Sequence, residues 1–317
     1  MNKILITGAN GQIGSELLTH LRGIYGEDQV VGSDIRLPKN QDDAGLFEIV
    51  DVTDAHRFHT VAKEHQVDTV IHLAALLSAT AEENPIKAWD LNMGGLMNAL
   101  EVARELDLKF FTPSSIGAFG HSTPKKNTPQ DTLQRPSTMY GVNKVAGELL
   151  CDYYHQKFGV DTRSVRFPGL ISYVTPPGGG TTDYAVEIYY EAARKGSYTS
   201  FIDEHTYMDM MYMPDALQAI HQLMEANPDH LVHRNAFNVS AMSFAPKDIA
   251  AEVKKHIPDF TMAYDVDPVR QAIADSWPDN LDISAAQEEW GFNPSYDLAS
   301  MTKDMLTHVR EKSTNSL

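Results

Sequence analysis

The stretch Lys3-Ile-Leu-Ile-Thr-Gly-Ala-Asn-Gly-Gln-Ile-Gly14 joins a short apolar run to three regularly spaced glycines. Residues 3–7 have the length and composition of a buried strand. A helical pattern follows the last glycine and extends from Ser15 to Arg22. A strand, a glycine turn and a helix in this order are the context in which spaced glycines indicate a dinucleotide-binding site.

Each glycine of this turn has its own physical reason. Gly8 permits a tight turn, Gly11 lets the backbone approach a pyrophosphate, and Gly14 lets the helix pack closely on the strand. The positive end of the helix dipole then faces the phosphates. We therefore expect the residues of the turn to bind the cofactor, namely Gly8, Asn10, Gly11, Gln12, Ile13 and Gly14.

A second strand-like run, residues 29–33, ends at Asp34, 20 residues after Gly14. A carboxylate at this point can accept hydrogen bonds from both hydroxyls of an adenosine ribose, and it would repel a 2′-phosphate. This favours NAD over NADP, although Arg36 could offset part of the repulsion. Asp34, Ile35 and Arg36 form the predicted ribose site.

Strand-like and helical segments alternate along the first half of the chain. Further strands are predicted at 47–52, 68–75, 109–112 and 161–167, and helices at 55–66, 85–105 and 139–158. Six strands alternating with helices imply an α/β fold with a doubly wound parallel sheet, the Rossmann arrangement. We expect residues 1–169 to form the NAD-binding domain, to which residues of about 200–240 return, and residues 170–317 to form mainly a smaller substrate-binding cap.

Residues at the predicted strand ends extend the cofactor site, because ligands of such sheets bind at the carboxyl ends of the strands. Asp51 can hydrogen-bond an adenine amino group, with Val52 against the ring. Ala74 and Ala75 leave room for a dinucleotide to cross the sheet edge. His72 lies in an apolar strand and is interpreted as a core histidine rather than a catalyst. The remaining cofactor candidates are Leu73, Asn92, Tyr140, Lys144 and Phe167.

Tyr140-Gly-Val-Asn-Lys144 places a phenol and an ammonium four residues apart. On a helix these two positions share one face and lie roughly 6 Å apart. An ammonium beside a phenol favours the phenolate, which can then take the proton of an alcohol being oxidised. An isolated pair of this kind occurs by chance on many helices, so the interpretation depends on the upstream motifs.

The composition excludes several classes of protein. The 317 residues include 26 Lys+Arg and 43 Asp+Glu, which gives a net charge of −17 and disfavours nucleic-acid binding. The single cysteine, Cys151, allows no internal disulfide, which fits a cytoplasmic protein. No run of 18 apolar residues predicts a membrane span. The 13 histidines show no spacing typical of a metal site.

Together the motifs resemble the extended short-chain dehydrogenase/reductase family, which includes UDP-galactose 4-epimerase. The TGxxGxxG of that family is matched by Thr7–Gly14, its HLAA by His72–Ala75 and its YxxxK by Tyr140–Lys144. Its usual spacing places the catalytic hydroxyl on Ser115, with the adjacent Ser114 as an alternative. The resemblance implies NAD as cofactor, the tyrosine as base, and support from the lysine and a serine.

One departure and several longer strings narrow this resemblance. Met208 stands where sugar-nucleotide members usually carry an arginine that binds the diphosphate, so one charge-assisted hydrogen bond is lost. The chain is most similar to the short-chain L-threonine 3-dehydrogenases, a branch of this family. That resemblance implies NAD-dependent oxidation of L-threonine at C3 to 2-amino-3-ketobutyrate. The strings that carry it are residues 74–82, 113–116, 168–172, 176–185 and 273–278.

The same resemblance implies a substrate site and a homodimer. The two long predicted helices, 85–105 and 139–158, would form the dimer contact. Thr181 and Thr182 precede a predicted helix and could serve only as its cap. Two other functions stay open: a nucleotide-sugar epimerase or dehydratase of the same family, and a non-catalytic NAD-sensing protein. The candidate substrate contacts are Ser78, Ser114, Tyr140, Thr181, Thr182 and Trp277.

Overall fold

The computed structural model describes residues 1–39, 44–176, 178 and 180–315. Its strands, in chain order, are β1 Ile4–Thr7, β2 Val30–Asp34, β3 Phe47–Ile49, β4 Thr69–His72, β5 Lys109–Phe111, β6 Ser114–Ser115, β7 Thr162–Arg163, β8 Val165–Phe167, β9 Gly169–Ile171, β10 Ser197–Ser200, β11 Met208–Tyr212, β12 Phe237–Asn238, β13 Met242–Phe244 and β14 Thr261–Tyr264. Its α-helices are α1 Gln12–Tyr25, α2 Ala55–Glu64, α3 Ser78–Glu83, α4 Pro85–Leu106, α5 Met139–Phe158, α6 Tyr184–Lys195, α7 Met213–Glu225, α8 Pro246–His256, α9 Pro268–Ala274, α10 Ser284–Trp290 and α11 Leu298–Asn315.

Six parallel strands form the main sheet, in the order β3-β2-β1-β4-β5-β7. The chain runs outward from β1 to β3 and then crosses to the other side of β1. This reversal opens a crevice between β1 and β4 at the carboxyl ends of the strands, where such sheets bind their ligands. The predicted doubly wound Rossmann sheet is confirmed.

Alternating side chains of the central strand pack against helices on both faces of the sheet. Ile4 and Ile6 join an apolar cluster that contains residues of α1 and α7. Leu5 points to the opposite face and joins a cluster with residues of α2, α4 and α5. Because both faces are covered, the strands are continuously apolar in sequence.

The predicted sixth strand, residues 161–167, is wrong as a single element. β7 pairs with β5 in the main sheet, whereas β8 pairs with β6 and β12 in a separate three-stranded sheet. The chain changes partners at Ser164, whose backbone N–H donates to the carbonyl of Arg234 at 3.1 Å. The chain therefore leaves the main sheet after β7. Its next strand, β8, lies beside β6, which carries the candidate catalytic serine.

Two other predicted strands are shorter than expected. The third strand ends at Ile49, so Asp51 and Val52 lie in the turn that follows it. The fourth ends at His72, and residues 73–77 have no regular structure before α3. In both cases the cofactor candidates lie just beyond the carboxyl end of a strand, which is the edge of the sheet that faces the crevice.

A separate apolar cluster lies in the second half of the chain. It combines residues of α6, α8, β11 and α11 with Trp277. We propose that this cluster is the core of the substrate-binding cap. The packing of α7 against α1 supports the proposed return of residues near 200–240 to the NAD-binding domain. None of the helices in the described part of the chain is long and apolar enough to cross a membrane.

Candidate active site

The glycine turn brings the start of α1 into direct contact with the ends of β1 and β4. Gly8 has a φ of 71°, and a Cβ at this residue would lie 2.7 Å from the backbone nitrogen of Ala74. A Cβ on Gly14 would overlap the carbonyl oxygen of Gly8. Only hydrogen fits at these two positions, which confirms the tight turn and the close packing of helix on strand.

The N-terminus of α1 is open toward the crevice. Its first two residues, Gln12 and Ile13, are half-buried, and the preceding Gly11 is exposed. No side chain caps the helix at Gly11. The first N–H groups of a helix lack internal partners, so this end of α1 can bind the pyrophosphate of a dinucleotide.

Asp34 is held at the end of β2 by backbone donors from two sides. Its Oδ2 accepts from the N–H of Asn10 at 3.1 Å, and its Oδ1 accepts from the N–H of Ile35 at 2.8 Å. The side-chain amide of Asn10 donates to the carbonyl of Arg36 at 2.7 Å. An ionised carboxylate has about four acceptor positions, so Asp34 retains capacity for the two hydroxyls of a ribose.

Asp51 and Val52 follow β3 at the same edge of the sheet. Asp51 Oδ1 accepts from the hydroxyl of Thr53 at 2.7 Å and from its N–H at 2.9 Å. These bonds lower the pKa of Asp51. The Val52 side chain is buried, close to Gly95 of α4. Asp51 and Val52 thus offer a fixed carboxylate and an apolar contact near the position expected for the adenine ring.

The segment after β4 is fixed by a buried amide. Asn92 Oδ1 accepts from the N–H of Leu76 at 2.7 Å, and its Nδ2 donates to the carbonyl of Leu76 at 3.2 Å and to Asn143 Oδ1 at 3.1 Å. Leu73, Ala74 and Ala75 lie half-buried along this segment. The Asn92 side chain therefore acts on the cofactor site by shaping the backbone beside it.

His72 is a core histidine, as predicted. It is 3% exposed, and its Nδ1 lies 2.9 Å from the hydroxyl of Thr7. Burial lowers the pKa of His72 to about 3, with a smaller contribution from the charge of Lys144. The ring is neutral at physiological pH and packs in the sheet rather than facing a substrate.

Tyr140, Lys144 and Ser115 meet at the start of α5. Lys144 Nζ lies 5.3 Å from the centroid of the Tyr140 ring and donates to the carbonyl of Pro113 at 2.7 Å. Ser115 Oγ accepts from the N–H of Gly117 at 3.1 Å. A Cβ on Gly117 would lie 3.2 Å from the Tyr140 ring and 3.5 Å from Ser115 Oγ. The absence of a side chain at Gly117 lets the phenol approach the serine turn, a role that the sequence analysis missed.

The two adjacent serines have different environments. Ser114 is buried, and its hydroxyl donates to the Glu148 carboxylate. Ser115 is half-buried and lies on the Tyr140 side. Neighbouring side chains of a strand point in opposite directions, so only one of the two hydroxyls can face the phenol. The geometry favours Ser115.

Glu148 and Arg166 form a buried ion pair next to these serines, and the sequence analysis did not single out either residue. One signal was available for Glu148: it lies four residues after Lys144, which itself lies four residues after Tyr140, so all three share one face of α5. Arg166 lies within the apolar run of β8. A charge in such a run requires a buried partner.

The candidate substrate residues come from three segments. Ser78 is the first residue of α3, and this helix is tied to α5 because the N–H of Met139 donates to Glu82 at 2.6 Å. Thr181 is buried and Thr182 is half-buried just before α6. The predicted loop that contains them, residues 176–183, includes Pro177 and Gly179, which lie outside the described residues.

Two further predicted site residues lie at the border between the sheet and the cap. Trp277 is 8% exposed and belongs to the same apolar cluster as Ile116 and Phe119, which follow Ser115. Phe167 is buried in β8, directly opposite Ser115 in the strand register. The backbone of Phe167 therefore borders the strand that carries the two serines.

Met208 is fully buried in the apolar cluster that contains Trp277 and does not face the crevice. The following Asp209 is also fully buried, accepting from the hydroxyl of Ser240 and, at 3.0 Å, from the N–H of Leu281. Burial raises the pKa of Asp209 to about 8. This position thus offers no cation to a diphosphate.

The sequence pattern that defines the NAD dependent epimerase/dehydratase family matches residues 4–240, and the chain belongs to this family. Its cofactor is NAD, which the open helix end and Asp34 fit. The chain is 66% identical to an L-threonine dehydrogenase of Clostridium difficile, with 98% of each chain covered and a TM-score of 0.97.

Two other proteins extend this comparison. A monomeric L-threonine 3-dehydrogenase from a metagenome is 42% identical, with 98% of this chain and 99% of that chain covered and a TM-score of 0.94. An uncharacterized epimerase/dehydratase of Staphylococcus haemolyticus is 65% identical, with 99% of this chain and all of the relative covered. The likeness therefore spans nearly the whole chain.

Proposed function

We propose that the protein oxidises L-threonine at C3 to 2-amino-3-ketobutyrate with NAD⁺. The observation that carries the proposal is the meeting of Tyr140, Lys144 and Ser115 at the carboxyl edge of the parallel strands. This arrangement suits the oxidation of an alcohol. The 66% identity to an L-threonine dehydrogenase supports threonine as the alcohol.

Three side chains carry out the proton transfer in this proposal. NAD⁺, when bound, supplies the acceptor for the hydride that leaves C3. Ser115 Oγ binds the substrate hydroxyl and orients it toward Tyr140. The phenolate of Tyr140 takes the hydroxyl proton, and the positive charge of Lys144 favours that phenolate. Ser114 supports the neighbouring backbone instead of touching the substrate.

The remaining candidates bind the amino-acid end of the substrate. Ser78 and Thr182 are half-buried, and Thr181 is buried next to Thr182 in the sequence just before α6. The N-terminus of α6 favours a nearby carboxylate. Trp277 closes the pocket from the cap side. These assignments extend the same proposal to substrate recognition.

An assay of NADH absorbance tests the proposal directly. Purified protein is mixed with NAD⁺ and L-threonine, with D-threonine, L-allo-threonine, L-serine and NADP⁺ as controls. We expect strong NADH formation with L-threonine and NAD⁺ only. Conversion of a UDP-sugar without threonine oxidation would establish the epimerase or dehydratase alternative, which the buried Met208 disfavours. NAD binding without any turnover would establish the non-catalytic sensor.

Replacing Asp34 with Asn is expected to weaken the preference for NAD⁺ over NADP⁺ by about 10- to 100-fold. This change corresponds to the free energy of one hydrogen bond to a charged group. The amide keeps an acceptor for the N–H of Asn10 but removes the charge that repels a 2′-phosphate. The measurement is the ratio of kcat/KM for the two cofactors. Asp51→Asn is the matched control, and an equal change in that variant would contradict the role of Asp34.

We also propose that the protein forms a homodimer through the outer faces of α4 and α5. Val142, Leu149 and Tyr153 are spaced by seven and four residues, so they share one face of α5. Exposed apolar side chains gathered on one surface are typical of an interaction site. The exposed large apolar residues of the two helices are Ile86, Trp89, Met97, Val142, Leu149, Tyr153 and Phe158.

Replacing Leu149 with Glu is expected to convert the dimer into a monomer. The side chain is 63% exposed in the single chain, so the charge disturbs the contact between copies and not the fold. Sedimentation velocity measures the change. Val232→Glu, at a residue 82% exposed and outside these two helices, is the control that should stay dimeric. Monomeric wild-type protein would overturn the proposed dimer.

A further inference from the structure

Glu148 and Arg166 form a bidentate ion pair in the interior. Arg166 Nε donates to Glu148 Oε1 at 3.1 Å, and Nη2 donates to Oε2 at 2.9 Å. Glu148 is only 7% exposed and Arg166 only 6%. Arg166 Nη1 donates to the carbonyl of Gln130 at 2.8 Å and to Asn238 Oδ1 at 3.0 Å. Two parallel charge-assisted bonds fix the direction of the pair as well as its distance.

This pair holds the chain on both sides of Ser115. The preceding Ser114 donates its hydroxyl to Glu148. The turn that follows Ser115 ends at Phe119, and Arg166 Cζ lies 5.1 Å from the centroid of that ring. In the strand register, Arg166 is also the direct partner of Ser114. The backbone that carries the Ser115 hydroxyl is therefore fixed before and after it.

The same pair fixes the helix that carries the base. Glu148 lies one turn after Lys144 and two turns after Tyr140 on α5. Its Oε2 also accepts from Gln134 Nε2 at 2.8 Å, in the segment that leads into α5. One carboxylate thus connects α5 to the serine strand and to β8.

The energetics favour a role in orientation over one in stability. A buried ion pair adds little net stability compared with an apolar pair of similar size, because desolvation opposes the attraction. We propose that Glu148 and Arg166 are positioning residues that set the distance and angle between Ser115 and the Tyr140–Lys144 pair. This inference rests on the proposed alcohol oxidation.

A matched pair of substitutions tests the inference. Asp161 forms a similar bidentate pair with the buried Arg163, at 2.9 and 2.8 Å, and Arg163 also donates to carbonyls at the end of α7. Glu148→Gln and Asp161→Asn each remove a carboxylate charge from a buried arginine, and Asp161 also pairs with Arg234 at 2.8 Å. Both should lower Tm, because arginines are left without their counter-charge. Only Glu148→Gln should lower kcat, on the order of 100-fold, as expected for a misplaced reacting group.

Two readouts separate positioning from a general loss of structure. With Glu148→Gln, KM for NAD⁺ should stay at the wild-type value while kcat falls, because the dinucleotide crevice is intact and only the reacting groups are misaligned. Equal kcat per folded molecule in the two variants would overturn the inference.

Hydrogen exchange gives a readout that needs no substrate. The Gly117 N–H donates to Ser115 Oγ, so it should exchange faster in Glu148→Gln and at the wild-type rate in Asp161→Asn.

If the wild type does not oxidise L-threonine, the proposed function fails, and exchange at Gly117 still decides the positioning role. If Glu148→Gln does not fold, Arg166→Lys keeps the charge but loses the two-bond fork. Wild-type kcat and wild-type exchange in that variant would reject the inference.

Discussion

Replacing Tyr140 with Phe is expected to lower kcat for L-threonine oxidation by about 1,000-fold, within the usual contribution of a general base. The substitution removes the oxygen that takes the substrate proton, while the ring keeps its contact beside Gly117. Because the fold and the dinucleotide crevice do not depend on that oxygen, NADH affinity should equal that of the wild type. Stopped-flow absorbance measures the rate, and fluorescence titration measures NADH binding.

A second tyrosine on the same helix provides the control for this experiment. Tyr153→Phe lies on the exposed outer face of α5, away from Ser115, and should keep the wild-type kcat. A Tyr140→Phe enzyme with near-normal kcat would show that another group accepts the proton. Loss of NADH binding in that variant would instead indicate a defect of folding.

Replacing Gly14 with Ala is expected to abolish tight NAD binding and to destabilise the protein. The added methyl would overlap the carbonyl oxygen of Gly8 and would lie 2.8 Å from Cα of Ala9. These are backbone atoms that cannot rotate away, so α1 must move from the end of β1. Overpacking of this kind costs about 1–3 kcal/mol, and the displaced helix end no longer faces the pyrophosphate. Thermal unfolding and NADH titration measure the two effects.

The same helix carries a glycine for which the opposite result is expected. Gly23 has no atom within 4 Å of the position of an added Cβ. Gly23→Ala should therefore stabilise the protein by about 1 kcal/mol, the difference in helix propensity between the two residues. It should leave NADH affinity unchanged. Wild-type NADH affinity in Gly14→Ala would contradict the assigned packing of the glycine turn.

The main sheet could be predicted because buried parallel strands are short apolar runs that end in turns. The change of partners at Ser164 could not, because residues 161–167 are all compatible with extended backbone and the break depends on Arg234, far along the chain. The six-residue helix α3 was also missed, since so short a segment shows little periodicity. Local sequence patterns therefore predict where strands form. The point at which the chain passes from β7 to β8 is determined by a hydrogen bond to a residue far along the chain.

The proposed reacting groups have a signal in the sequence, whereas the side chains that support them do not. Tyr140 and Lys144 have a helical spacing that is visible in sequence. The distinction between Ser114 and Ser115 required the Glu148 carboxylate, which only the folded chain brings to Ser114. Asn92 was listed as a cofactor-binding candidate, but its hydrogen bonds to Leu76 were not foreseen. Contacts between distant side chains leave no periodic signal.

The strand opposite Ser114–Ser115 has a consequence for how the chain is made. β8 is completed on its other side by β12 at residues 237–238, more than a hundred residues after the serines. During synthesis the N-terminal part of a chain emerges and folds first. The ribosome therefore releases the segments of the dinucleotide crevice well before it releases the strand that completes the serine sheet. On the proposed function, a nascent chain can gain the ability to hold a nucleotide while its alcohol-oxidising site is still incomplete.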